Sequence, residues 1–96
     1  MSVITTLNCL LKNPNIAPLK SFLAKHLPNV RGFNGCLSVS VFFNENNTEM
    51  LLEEEWLSTG HHQNYLKSIE ESGVLAELAA YLENPPSIKY FEKEAI

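Results

Sequence analysis

The sequence predicts one α+β domain in the order strand, helix, strand, strand, helix, strand, with a four-stranded antiparallel sheet carrying its helices on one face. Three observations lead there. Cys36 to Phe43 alternates apolar and small polar residues, and the polar loop Asn44–Asn47 joins it to a second strand-like run, so the two should pair antiparallel. A β-branched stretch opens the chain and a short Ile-x-Tyr-Phe stretch closes it. Between each of these and the central hairpin lies a segment with apolar residues at helical spacing. Two β-α-β units with right-handed crossovers then share one sheet.

The first strand runs from Val3 to Leu11, with apolar residues at both parities, which predicts burial on both faces. Asn8 is its polar exception, and it needs either a polar cavity or nearby backbone as partner. Lys12 to Asn15 is a loop. Asn15 can cap a helix that tolerates Pro18 in its first turn. Ile16, Leu19, Phe22, Leu23 and Leu27 form its apolar stripe, His26 lies beside it as a structural residue, and Pro28 is expected to stop it.

Residues 29–34 then connect to the strand Cys36–Phe43, where Leu37, Val39, Val41 and Phe43 share one side. The returning strand spans Thr48 to Trp56. Ser58 is a suitable N-cap for the next helix, whose buried face takes His62, Tyr65, Leu66 and Ile69 and leaves His61 toward solvent or the helix start. Glu70 to Gly73 breaks that helix. Val74, Leu75, Leu78, Tyr81 and Leu82 make a further short amphipathic helix, ended by Pro85 and Pro86. Ser87 to Glu92 is the last strand.

Composition narrows the function classes. Residues 1–96 form a single domain with a modest core, because a chain of this size buries only about 60–65% of its unfolded surface. The net charge is −4 and Arg31 is the only arginine, which argues against a nucleic-acid surface. No apolar run approaches the roughly 20 residues that cross a bilayer, and no signal peptide is visible, so the expected location is the cytoplasm. Cys9 and Cys36 lack metal-site spacing and read as reduced, small apolar residues. A sheet with helices on one side leaves an apolar face uncovered, which predicts a homodimer through that sheet face.

Candidate functional residues gather in Glu53 to Leu66, which holds the only Trp, two of the three His and a run of three glutamates. In a strand, neighbours point to opposite faces, so Glu53 to Glu55 cannot converge on a metal. Glu54 shares its parity with Met50, Leu52 and Trp56 and faces apolar groups, either as a base with a raised pKa or paired with a Lys or His. His62 is either a core histidine or a pocket group, and Trp56 is first a packing anchor.

The Glu54-x-Trp56 strand end, Ser58, the helix opening through His62 and Tyr65 to Leu66, the Gly35-Cys36-Leu37 strand start and the Pro-Pro before Ile88-x-Tyr90-Phe91 together resemble the antibiotic biosynthesis monooxygenase family. The resemblance spans nearly the whole chain. It implies a ferredoxin-like protomer in a dimeric α+β barrel. It also implies oxidation of a small phenol- or quinol-like aromatic by O2, with no metal, flavin or other cofactor, in a pocket between sheet and helices. In those terms His62 would be the proton acceptor, Asn8 and Tyr65 the orienting groups, and Trp56, Phe22, Leu66 and Glu54 would contact the substrate. The haem-degrading branch of the family carries an Asn on the first strand, matched by Asn8. Its Trp and His fall at Tyr65 and near Leu75 here, which argues against haem degradation. A non-catalytic dimer that binds a small ligand is the alternative reading, and an interaction module whose cleft is filled by side chains is a third.

Overall fold

The structure is a computed structural model describing residues 1–96. Strands β1 (Val3–Leu10), β2 (Cys36–Phe43), β3 (Glu49–Trp56) and β4 (Ser87–Phe91) form one sheet in the order β2-β3-β1-β4, with every neighbouring pair antiparallel. Helices α1 (Ala17–Arg31), α2 (Thr59–Ser72) and α3 (Val74–Ala79) pack on one face, as the element order predicts. No helix is long and apolar enough to cross a membrane.

The sheet has two unlike faces because strand parity is 2. Val3, Thr5, Leu7 and Cys9 of β1 and Met50, Leu52, Glu54 and Trp56 of β3 point under the helices and are all buried. Two apolar clusters fill that space. The larger joins Leu7, Cys9, Met50 and Leu52 to Leu19 and Leu23 of α1 and Leu78 of α3. The smaller joins Val3, Val39 and Trp56 to Val30 of α1 and Tyr65 of α2.

Three local expectations change. Pro28 does not stop α1: the helix continues to Arg31, and the Gly32 N–H donates to the Pro28 carbonyl. The extra turn buries Val30 and lets the Arg31 guanidinium donate to the Val39 carbonyl at 3.0 Å, which offsets the hydrogen bond that proline cannot make. Leu37 does not share a side with Val39: a bulge between Cys36 and Ser38 turns it outward, half-exposed, and leaves Cys36 packed against the Trp56 cluster. The predicted burial of β1 on both faces is met on one face only within the protomer, since Leu10 is 43% exposed.

The junction between β3 and α2 is tightly built. Ser58 caps α2 as expected, its Oγ accepting from the His61 N–H and lying 2.7 Å from His61 Nδ1. The His61 ring rests on the backbone of Gly35, where φ is +92° and any Cβ would overlap the imidazole. Gly73, at φ 86°, ends α2 in the left-handed conformation and turns the chain into α3.

Candidate functional site

An almost wholly apolar cavity of about 50 Å³ lies between the sheet and the helices. Leu7 and Leu52 form its floor, α1 contributes Phe22, Leu23 and Val30, α2 contributes Tyr65 and Leu66, and α3 contributes Leu75 and Leu78. Glu54, His26 and the Tyr65 phenol are the ionisable groups of the lining. A cleft between α1 and the α2–α3 joint shares His26, Tyr65, Ile69 and Val74 with it and holds about 240 Å³, so these four side chains stand between cavity and surface.

Glu54 is the only carboxyl group in the cavity lining. It is 3% exposed, sits between the two apolar clusters, and accepts a 2.8 Å hydrogen bond from Trp56 Nε1 on Oε1. Burial raises its pKa above the ordinary value, and the Trp56 hydrogen bond partly opposes that. His62 Nε2 lies 3.6 Å from the same oxygen. The two do not form an ion pair near neutrality, because burial pushes His62 down to about 4 while Glu54 is pushed up. Two groups whose environment disfavours both charges are a neutral histidine beside a carboxyl group of low acidity.

His62 is fully buried, and its Nδ1 lies 2.8 Å from the Tyr90 hydroxyl on β4. Tyr90 is half-buried on the edge strand. Strand register lines up Glu54 of β3, Thr5 of β1 and Tyr90 of β4 in one row across the inner face. The Thr5 hydroxyl and His62 Nε2 are both buried without a hydrogen-bond partner. Burial also raises the Tyr65 phenol, helped by the nearby Glu54 charge, so Tyr65 is a neutral hydroxyl at the cavity wall.

The predicted site residues divide by face and depth. Tyr65, Phe22, Leu66 and Glu54 line the cavity together. His62 points inward as its helical phase predicts, yet it stands behind Glu54 rather than at the cavity surface. Trp56, fully buried, also stands behind Glu54, and is enclosed edge-on by Phe33 and His62. Asn8 does not join this group. It lies at even parity on β1, so its side chain is on the outer sheet face, where Nδ2 donates to Glu49 Oε2 at 2.5 Å. Sequence reasoning missed Tyr90 and Thr5, whose neighbours are set by strand register, and it left His26 out of the pocket. No group of three His, Cys, Asp or Glu side chains converges to hold a metal ion.

No protein-family model matches the sequence, and no curated protein matches it. Solved structures do match. A monooxygenase from the ActVA-Orf6 gene of Streptomyces coelicolor, determined with nanaomycin D, superposes with a TM-score of 0.76 at 16% identity, covering 99% of this chain and 90% of that one. A Deinococcus radiodurans protein provisionally named an antibiotic biosynthesis monooxygenase gives 0.78 at 23% identity over 98% and 95% of the two chains. The chain has the fold of the antibiotic biosynthesis monooxygenases. A conserved protein of Methanosarcina mazei Go1 shares it at a TM-score of 0.85 and 16% identity, over 98% of this chain and 94% of that one. The antibiotic biosynthesis monooxygenase fold places a ferredoxin-like sheet under paired helices, the arrangement that encloses the Glu54 cavity.

Proposed function

We propose that the protein is a cofactor-independent monooxygenase that oxidises a small phenol- or quinol-like aromatic with O2 in the cavity between sheet and helices. The observation that carries this reading is Glu54, a buried carboxyl group facing an otherwise apolar cavity. A carboxylate facing that cavity can take the acidic proton of a bound ligand. An apolar, water-poor wall suits a reaction in which an organic anion meets O2. The S. coelicolor monooxygenase of the same fold, determined with a ligand, supports a small-molecule site on this scaffold.

In this reading Glu54 accepts the phenolic proton, while the Trp56 N–H holds the carboxylate in place and the Tyr65 hydroxyl donates to the phenolate oxygen. The phenolate gives one electron to O2. The resulting radical and superoxide join as a C–O bond at the ring, and protonation at the distal oxygen gives a hydroperoxide. Loss of the ring proton with O–O cleavage leaves the quinone carbonyl and water. The balance is phenol plus O2 to quinone plus water, with no outside reductant. Because the cavity alone is smaller than an aromatic ring, which needs about 150 Å³ in a comparable apolar site, the substrate also occupies the cleft at His26, Tyr65, Ile69 and Val74. Two protomers pair through their outer sheet faces, where Phe42 and Phe91 are each 50% exposed.

Oxygen uptake with a panel of phenols and hydroquinones tests the proposal. The expected result is uptake equal to substrate consumed, falling at least 100-fold in Glu54→Gln, which keeps the acceptor for Trp56 Nε1 but cannot take a proton. Tight ligand binding with no oxygen consumed would favour a binding dimer instead.

A further inference from the structure

We infer that His62 and Tyr90 form the route by which the buried Glu54 carboxyl exchanges its proton with solvent. The inference rests on the reading of Glu54 as the proton acceptor of the cavity.

Such a route would let Glu54 exchange its proton while a substrate fills the cavity and the cleft beside it. Glu54 is 3% exposed, and the cavity it faces is walled by apolar side chains, with His26 and the Tyr65 phenol the other ionisable groups. On its far side stands His62, fully buried, with Nε2 lying 3.6 Å from Glu54 Oε1 and otherwise without a partner. The opposite ring nitrogen lies 2.8 Å from the Tyr90 hydroxyl. Tyr90 sits on the edge strand, half-exposed, and its hydroxyl also meets the side chain of Gln63, an exposed residue of α2, which carries the path outward. Thr5 occupies the register position between Glu54 and Tyr90, and its unpartnered buried hydroxyl flanks the same path.

A neutral imidazole carries one N–H and one lone pair, and the partner of each nitrogen selects the tautomer. With Glu54 ionised, His62 holds its proton on Nε2, toward the carboxylate, and Tyr90 donates to Nδ1. With Glu54 protonated, the carboxyl donates to Nε2, and His62 Nδ1 donates to the Tyr90 oxygen, whose own proton turns outward. Passing between the two states moves one proton from Glu54 to the surface while His62 stays neutral throughout. The depressed basicity of His62 fits this, because a charged imidazolium would stall the transfer. The ionisable groups around Glu54 are Cys9 on β1, Cys36 on β2, Tyr65 on α2, Tyr90 on β4 and His26 of α1 across the cavity. Burial pushes the Cys9 thiol to about 11 and raises Cys36, Tyr65 and Tyr90, so these four stay neutral while Glu54 titrates.

Side-chain nitrogen NMR on the resting protein tests the route without turnover. Titrating wild type should switch His62 from Nε2–H to Nδ1–H as pH falls, with the same midpoint as the Glu54 carboxyl carbon. In Tyr90→Phe, where Nδ1–H has no acceptor, the switch should vanish, and in Glu54→Gln it should vanish with it. A His62 tautomer that stays constant through the Glu54 titration in wild type overturns the inference, and this measurement needs no variant to fold. A switch that persists in Tyr90→Phe overturns it as well. A protein that switches but consumes no oxygen refutes the monooxygenase reading and leaves the route standing.

Discussion

Glu54 is the one carboxyl group that lines the apolar cavity. It is held by Trp56 Nε1, backed by His62 and open to an apolar cavity, so its acidity is set by burial rather than by a cation. If Glu54 is the base, its ionised form is the active one. The kcat/KM profile should therefore rise with pH through one ionisation lying above the ordinary glutamate range, a rise that Glu54→Gln lacks. Stability gives an independent signature from His62. Its folded pKa is depressed, so the folded state resists a proton that the unfolded chain accepts. Stability is full above the unfolded value near 6.5 and is lost as pH falls toward about 4. That loss amounts to roughly 3 kcal/mol, and chemical denaturation across the interval should show it shrinking in His62→Gln. Glu54 acts in the opposite sense, its raised pKa lowering stability as pH climbs. Helical phase made His62 and Tyr65 legible as inward-facing from sequence alone. The Glu54 contacts were half-legible, since parity put the side chain on an apolar face but could not show which helix lay above it.

Two elements show how tertiary packing overrides local rules. Pro28 sits inside α1 on an exposed position, and the helix continues because Val30 is buried and Arg31 reaches the Val39 carbonyl. Pro28→Ala restores a backbone donor at no packing cost. It should raise stability by about 1–2 kcal/mol, visible as a several-degree rise in Tm. At the start of β2, Gly35 carries the His61 ring at a positive φ that other residues resist. Gly35→Ala should cost about 2 kcal/mol or more, because a Cβ there must push aside the His61 ring. A proline mid-helix and a bulge after Cys36 both depend on partners distant in sequence, so pattern reading misplaced the end of α1 and the side of Leu37. The hairpin loop, the Ser58 cap and the Gly73 break depend on local turn chemistry and were legible.

At the scale of the whole molecule, the two sheet faces do different work. The inner face encloses the cavity. The outer face mixes Ile4, Leu10, Phe42, Leu51 and Phe91 with Glu49, Glu53 and Glu55, and Asn8 serves there as the partner of Glu49. Paired protomers would cover the apolar part of this face. Phe42→Lys, a change at a side chain already half-exposed in the protomer, should shift the protein to monomer in sedimentation while leaving its circular dichroism unchanged. The order of elements and the uncovered face were legible because they follow from periodicity and connectivity. The membership of the site was less so, since Asn8, Thr5 and Tyr90 are sorted by the parity and register of strands far apart in the chain.

Labelled oxygen tests most directly whether Glu54 is the proton acceptor of an O2-using aromatic site. With an accepted phenol under 18O2, wild type should place one labelled atom in each quinone formed and release the other as water. Glu54→Gln, folded and still ligand-binding, should form at least 100-fold less labelled product. Labelled product at the wild-type rate in Glu54→Gln, or none from wild type with any phenol or hydroquinone tried, would contradict that role.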